Sequence, residues 1–146
     1  MAKDVQIDPR GYRFGAAVTL VVALAALILG ANTAGLIAIG VLTAMFIPGA
    51  LVGPQATVQA AIFKALIRPR IGPPHETEPF QPARFAQQMG LAMAAAGLVL
   101  GLLGVTPGFY IFAALVTVAS FLNAAFGFCL GCEIYLLLKR STTRPA

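Results

Sequence analysis

Charge is scarce in this chain of 146 residues: ten Lys and Arg, five Asp and Glu, 10% charged in all. A soluble domain averages about 25%. With 59% of residues hydrophobic and a mean hydropathy of +0.87, a soluble globule could not hide its apolar surface. In a domain of this size roughly a third of what the unfolded chain exposes stays wet. An ordinary soluble enzyme, a disordered regulator and a collagen-like fibre are excluded. Histidine is scarcer still. His75 stands alone, so no Ser-His-Asp arrangement can be assembled. The glycines are scattered through apolar runs and make no phosphate-cradling loop. Glu76 and Glu78 lie in a loop and Asp4 and Asp8 in the N-terminal tail, leaving no acid pair within the apolar runs. Hydrolase and kinase chemistry fail on inventory.

What the chain does have is long apolar runs. A helix needs roughly 17–25 apolar residues to cross about 30 Å of hydrocarbon, and four stretches qualify: Phe14 to Ala31, Ala34 to Val52, Phe85 to Val105 and Phe109 to Leu138. The last, read as one helix, is long enough that it must tilt, kink or project from the bilayer. The runs predict an all-α, polytopic membrane protein, residues 1–146 forming one domain of four transmembrane helices in two hairpins. Asn32-Thr33 and Thr106-Pro107-Gly108 are the short connections that make neighbours antiparallel. A cleaved signal peptide fits the N-terminus poorly, because the first apolar run passes straight into another. Pro48 and Pro107 read as punctuation.

The basic residues fall in three groups: Lys3, Arg10 and Arg13; Lys64, Arg68, Arg70 and Arg84; Lys139, Arg140 and Arg144. None lies in a hairpin turn. The positive-inside rule then places both termini and the central loop, residues 53–84, on the cytoplasmic side of the inner membrane. The net charge of +5 encodes orientation, and nucleic acid is not an expected partner because no basic face carries interleaved aromatics. Within the loop, Gln55 to Arg68 sets Val58, Ala61, Ile62, Ala65 and Leu66 at helical spacing, with Gln59, Lys64 and Arg68 off that stripe. This predicts a short amphipathic helix, lying on the inner membrane surface or packed against the bundle. Five prolines between Pro69 and Pro82 predict an extended hinge. An Arg-Phe pair opens each hairpin, Arg13-Phe14 and Arg84-Phe85. That is the mark of an internal parallel repeat, or simply of what any inward-starting span requires.

One constellation could carry chemistry. Cys129 and Cys132, the only cysteines, precede Glu133 in the string Asn123-Ala124-Ala125-Phe126-Gly127-Phe128-Cys129-Leu130-Gly131-Cys132-Glu133. On a continuous helix the two thiols and the carboxyl share a face and Gly127 and Gly131 lie opposite, suited to close helix packing. A C-x-x-C pair can close a disulfide or pass a sulfur between neighbours through its thiolate. A carboxyl inside a span is costly and functional by default. Glu133 would manage the proton, and Arg10, Arg13 and Arg84, folding in, would favour the thiolate or bind an anionic sulfur substrate. Without them, burial and a nearby anion would leave the thiols sluggish. Facing a reducing cytosol, a permanent structural disulfide is not expected. The rival is copper or zinc on two thiolates and a carboxylate, which lacks a fourth ligand unless a homodimer completes it. The plain alternative is packing, for which small apolar cysteines are well suited.

The segments Ile7-Asp8-Pro9-Arg10-Gly11-Tyr12-Arg13-Phe14 and Leu122-Asn123-Ala124-Ala125-Phe126-Gly127-Phe128-Cys129-Leu130-Gly131-Cys132-Glu133-Ile134-Tyr135 resemble the two hallmarks of an uncharacterised bacterial integral-membrane family, largely actinobacterial and catalogued as a domain of unknown function. The resemblance implies a cysteine pair in the last helix and no established activity, and it suggests by association a soluble thioredoxin-like or sulfurtransferase partner; no cofactor is expected. The functional expectation is thiol-based redox or sulfur handling at the cytoplasmic side of the membrane. A small transporter for a sulfur compound or metal, and a non-catalytic scaffold, remain as alternatives, with homo-oligomers compatible with each.

Overall fold

A computed structural model describes residues 6–142, leaving Lys3, Asp4 and Arg144 outside the described segment. Four helices are long and apolar enough to cross a membrane: α1 (Pro9–Leu29), α2 (Thr33–Leu51), α5 (Phe80–Leu102) and α6 (Thr106–Phe126). Between α2 and α5 lie a 3₁₀ turn (Pro54–Ala56), α3 (Val58–Ile62), a π turn (Phe63–Ile67) and α4 (Arg68–Ile71); α7 (Leu130–Thr142) closes the chain. Strands β1 (Gln6–Ile7) and β2 (Glu78–Pro79) pair antiparallel, tying the chain's start to the end of the loop.

The spans form a ring in which α1 touches α2 and α6, and α5 touches α2 and α6. Its centre is built of Ala23, Ala26, Ile39, Leu42, Phe46, Ala94, Phe109, Ala113 and Val116, all buried. The outward faces are just as apolar. Ile28 is 82% exposed, and Val21, Ile37, Ile111 and Val118 lie open in the same way. A surface that size could not face water. Lipid is the solvent these helices require.

Helix ends explain the hairpins. Asn32 Oδ1 accepts the Gly35 N–H at 3.1 Å and so starts α2, the capping role for which its side chain is suited. The first connection is residues 30–32 and the second 103–105, so Thr106, Pro107 and Gly108 are the first turn of α6 rather than the link. Proline suits that place because the N–H it lacks would have no helical partner there.

Two expectations are corrected. The run from Phe109 to Leu138 is not one helix, for α6 stops at Phe126. Gly127 adopts the left-handed conformation (φ 69°, ψ 16°). The Gly127 N–H donates to Asn123 O at 2.9 Å and the Phe128 N–H to Leu122 O at 3.2 Å. This is the reversal that ends helices where glycine can take positive φ. In the loop, helix continues through Pro69 to Ile71, and Pro82 lies in the first turn of α5. Only about residues 72–79 are extended.

The loop helix packs against the bundle, but through residues outside the predicted apolar stripe. Gln59 and Phe63 are buried against α1, where the Phe63 ring lies 5.9 Å from that of Phe14. Val58, Ile62 and Leu66 point outward, as a helix at a membrane surface would place them.

The two halves are built alike. Each hairpin is followed by a short helix. Arg13 of α1 donates to Ala124 O and Ala125 O at the end of α6, and Arg84 of α5 donates to Ala50 O at the end of α2. Phe14 packs on Phe63 and Phe85 on Tyr135, at 5.9 and 5.5 Å between ring centres. Such correspondence favours the repeat over the plainer reading of the Arg-Phe pairs.

Candidate functional site

The reversal at Gly127 places Cys129 just before α7 and Cys132 in its first turn. Their Cα atoms are 5.1 Å apart and their sulfurs are bonded, so the pair expected as free thiols along one helix is a disulfide at a helix start. Cys129 stands where a capping residue stands. Its Sγ accepts the Cys132 N–H at 3.1 Å, and its carbonyl accepts the Glu133 N–H at 3.0 Å. The same geometry recurs in the first half, where Thr57 Oγ1 accepts the Ala60 N–H at 3.1 Å to start α3. A cap needs only an acceptor, and threonine supplies one. Sulfur is therefore not required for this turn to form.

A disulfide sulfur carries no proton, so the Tyr12 hydroxyl donates to Cys129 Sγ, at 3.5 Å. Cys132 packs with Tyr12 against the cluster of Ile7, Phe80 and Ala83. Cys129 lines a cavity of about 90 Å³ that runs into the bundle past Ser120 and Asn123 to Phe46 and Val116. Thr19, Ser120 and Asn123 are buried polar residues on that route, and the apolar core fills the bundle beyond. Gly131 holds α7 tight on α5, since a Cβ there would lie 2.6 Å from Ala86 Cβ and 2.7 Å from its Cα. Gly127 and Gly131 thus serve separate purposes, a reversal and a close approach, and not two places on one helix face.

The other residues singled out from sequence are placed as follows. Glu133 is exposed in the first turn of α7, outside the four spans, where a carboxylate also complements the helix dipole. Arg13 reaches the end of α6 beside the cysteines. Arg10 pairs with Asp8 at 2.9 Å and donates to Gly72 O at 2.9 Å. Its hydrogen bond holds the Asp8 carboxyl below its ordinary range, the largest of several influences on it. Arg84 shares Ala50 O with Gln88. Arg13 alone of the three guanidinium groups borders the cysteine turn. Among the described residues, no three His, Cys, Asp or Glu side chains gather as metal ligands.

Tyr12 is the residue that sequence reasoning missed. It stood in view inside the first hallmark segment, but only the packing of α1 against the Cys129 turn gives it a role.

These features define a class: a polytopic, four-span membrane protein carrying a disulfide-capped helix at the basic end of its bundle. The sequence profile described as Domain of unknown function (DUF4395) matches residues 7–140, and the chain belongs to that family. No curated protein and no solved structure matches it.

Proposed function

We propose that the protein performs thiol–disulfide exchange at the cytoplasmic side of the membrane, with Cys129 as the attacking sulfur and Cys132 as the resolving one. The observation that carries this reading is the hydrogen bond from the Cys132 N–H to Cys129 Sγ at the start of α7. A helix N-terminus stabilises negative charge, and a cysteine there favours its thiolate once reduced. The Tyr12 hydroxyl adds a second donor to the same sulfur.

The steps balance through a soluble thioredoxin-like partner that carries a dithiol/disulfide pair. In the reduced protein the Cys129 thiolate attacks the partner's disulfide, forming a mixed disulfide and releasing one partner sulfur as thiolate. The Cys132 thiol gives up its proton to solvent, with the exposed Glu133 carboxylate as acceptor on the way. Its thiolate attacks Cys129 Sγ, restores the Cys129–Cys132 bond and expels the second partner thiolate. Two electrons pass from the pair to the partner, and a second dithiol returns them by the reverse sequence. Arg13 steadies the turn, while Arg10 and Arg84 hold the frame around it.

The test is trapping. Cys132→Ser cannot resolve the mixed disulfide, so its reduced form, given a thioredoxin that lacks its second active-site cysteine and is activated as a mixed disulfide with thionitrobenzoate, should release thionitrobenzoate and accumulate a covalent adduct on Cys129. Cys129→Ser should give none, and wild type should cycle through without accumulation. If Cys132→Ser forms no adduct, and wild-type thiols react no faster than free cysteine, the pair only packs.

A further inference from the structure

A second cavity, of about 160 Å³, lies beneath the surface helix of the first half, between α3, the start of α1 and α5. Gln55, Gln59 and Gln87 line it, and the side-chain oxygen of each is buried without a hydrogen-bond partner, those of Gln55 and Gln87 lying against Gly53 and Gly49. Gln59 is only 4% exposed, and its Nε2 is engaged by Thr19 Oγ1 at 3.3 Å. Turning that amide end for end would merely exchange an unpaired oxygen for an unpaired nitrogen. Buried polar groups are normally partnered, so the unpaired end of the Gln59 amide calls for an occupant that hydrogen-bonds to it, as a hydroxyl does in either amide orientation. In the second half Gly131 sits directly on Ala86, and the cavity beside Cys129 is smaller, about 90 Å³.

Charge narrows the occupant. Lys64 and Arg68 also line the cavity. Asp8, the carboxylate on its wall, is matched by Arg10, leaving a surplus of positive charge. The exposed apolar row Val58, Ile62 and Leu66 runs along the same helix. We propose that this cavity binds a phosphate ester whose alcohol part carries free hydroxyl groups. Lys64 and Arg68 take the phosphate, and a hydroxyl pairs with the Gln59 amide. The volume is close to the roughly 150 Å³ that accommodates one benzene molecule, and a glycerol unit is of that size. Two sources share this chemistry: phosphatidylglycerol, whose acyl chains would lie along Val58, Ile62 and Leu66, and soluble glycerol 3-phosphate. Basic pockets at membrane surfaces take lipid headgroups in this manner. The site stands apart from the disulfide and does not depend on the exchange reading.

The experiment uses the full chain in dodecyl maltoside, freed of lipid, with binding read by native mass spectrometry. Probes are short-chain phosphatidylglycerol, short-chain phosphatidic acid and glycerol 3-phosphate. Phosphatidylglycerol should form a one-to-one complex about tenfold tighter than phosphatidic acid, which has the charge without the hydroxyls. Arg68→Gln and Gln59→Leu should each weaken it about fivefold or more. Lys64→Gln, at an exposed position, repeats the test should Gln59→Leu fail to fold. Glycerol 3-phosphate binding as tightly as the lipid supports the site and assigns the soluble source; much weaker binding assigns the bilayer. Equal binding of phosphatidic acid and phosphatidylglycerol, or phosphatidylglycerol binding untouched by Arg68→Gln and Lys64→Gln, overturns the proposal.

Discussion

The Tyr12 hydroxyl and the Cys132 N–H both converge on Cys129 Sγ, and they differ in what a mutation can remove. The N–H belongs to the backbone and persists through any side-chain change. The hydroxyl does not. Tyr12→Phe keeps the ring in its place beside Ile7, Phe80, Ala83 and Cys132, so stability should change little. In the reduced protein, however, the Cys129 thiolate loses one donor. A net hydrogen bond of about 1 kcal/mol corresponds to roughly half to one pH unit. The midpoint of Cys129 alkylation, followed against pH by mass spectrometry, should rise by that amount. A purely structural tyrosine would leave the alkylation profile where it was and show only in the melting temperature.

At the scale of elements, the decisive event is the division of the last apolar run into α6 and α7. Composition conceals it, since Glu133 is the only charged residue between Phe109 and Leu138 and lies beyond the point where the helix ends. The signal was nevertheless present: glycine followed by an apolar residue is the local pattern of a helix reversal, and Gly127-Phe128 has it. The period-based reading of Gln55 to Arg68 captured the helix and its exposed apolar row. It misassigned Gln59, because a buried glutamine is dictated by the cavity and by Thr19 on α1, neither visible in local sequence. Four spans, two hairpins and the three basic segments were legible because each rests on run length and charge, which survive any packing. The Cys129 cap was not, because it depends on where a backbone turns. The seating of α7 on α5 has its own test. Gly131→Ala would press a Cβ onto Ala86, and overpacking of this kind costs about 1–3 kcal/mol. Thermal unfolding in detergent should fall accordingly. Ala86→Gly in the same chain, by removing the Cβ at 2.6 Å, should recover part of the loss; no recovery would mean that the contact is not what limits the packing.

On the scale of the whole molecule, the chain is built as two similar halves, each a hairpin followed by a short helix, with different contents. Where the first half has Thr57 as cap beside a cavity of about 160 Å³, the second has Cys129 as cap beside one of about 90 Å³, with Gly131 seated on Ala86. An even number of spans returns the chain to its starting side, so α3, α4 and α7 share one end of the bundle with Arg10, Arg13 and Arg84. Every described basic residue is at that end, and none is in either hairpin turn. The exchange reading proposed above places that end, with the disulfide, on the cytoplasmic side, as the positive-inside rule predicts. The orientation can be read from the cysteines themselves, since they are the only two in the chain. A membrane-impermeant maleimide, applied after reduction, should label Cys129 in inverted membrane vesicles and leave intact cells unlabelled, while a permeant maleimide labels both preparations. Labelling of intact cells by the impermeant reagent would invert the topology and move the exchange partner outside the cytoplasm. Absence of labelling by either reagent, with reduction verified by mass, would mean that the sulfurs are sealed in the packing between α5 and α7. The cavity beside Cys129 argues against that outcome, because it leaves this sulfur, unlike that of Cys132 against its apolar cluster, with open space on one side.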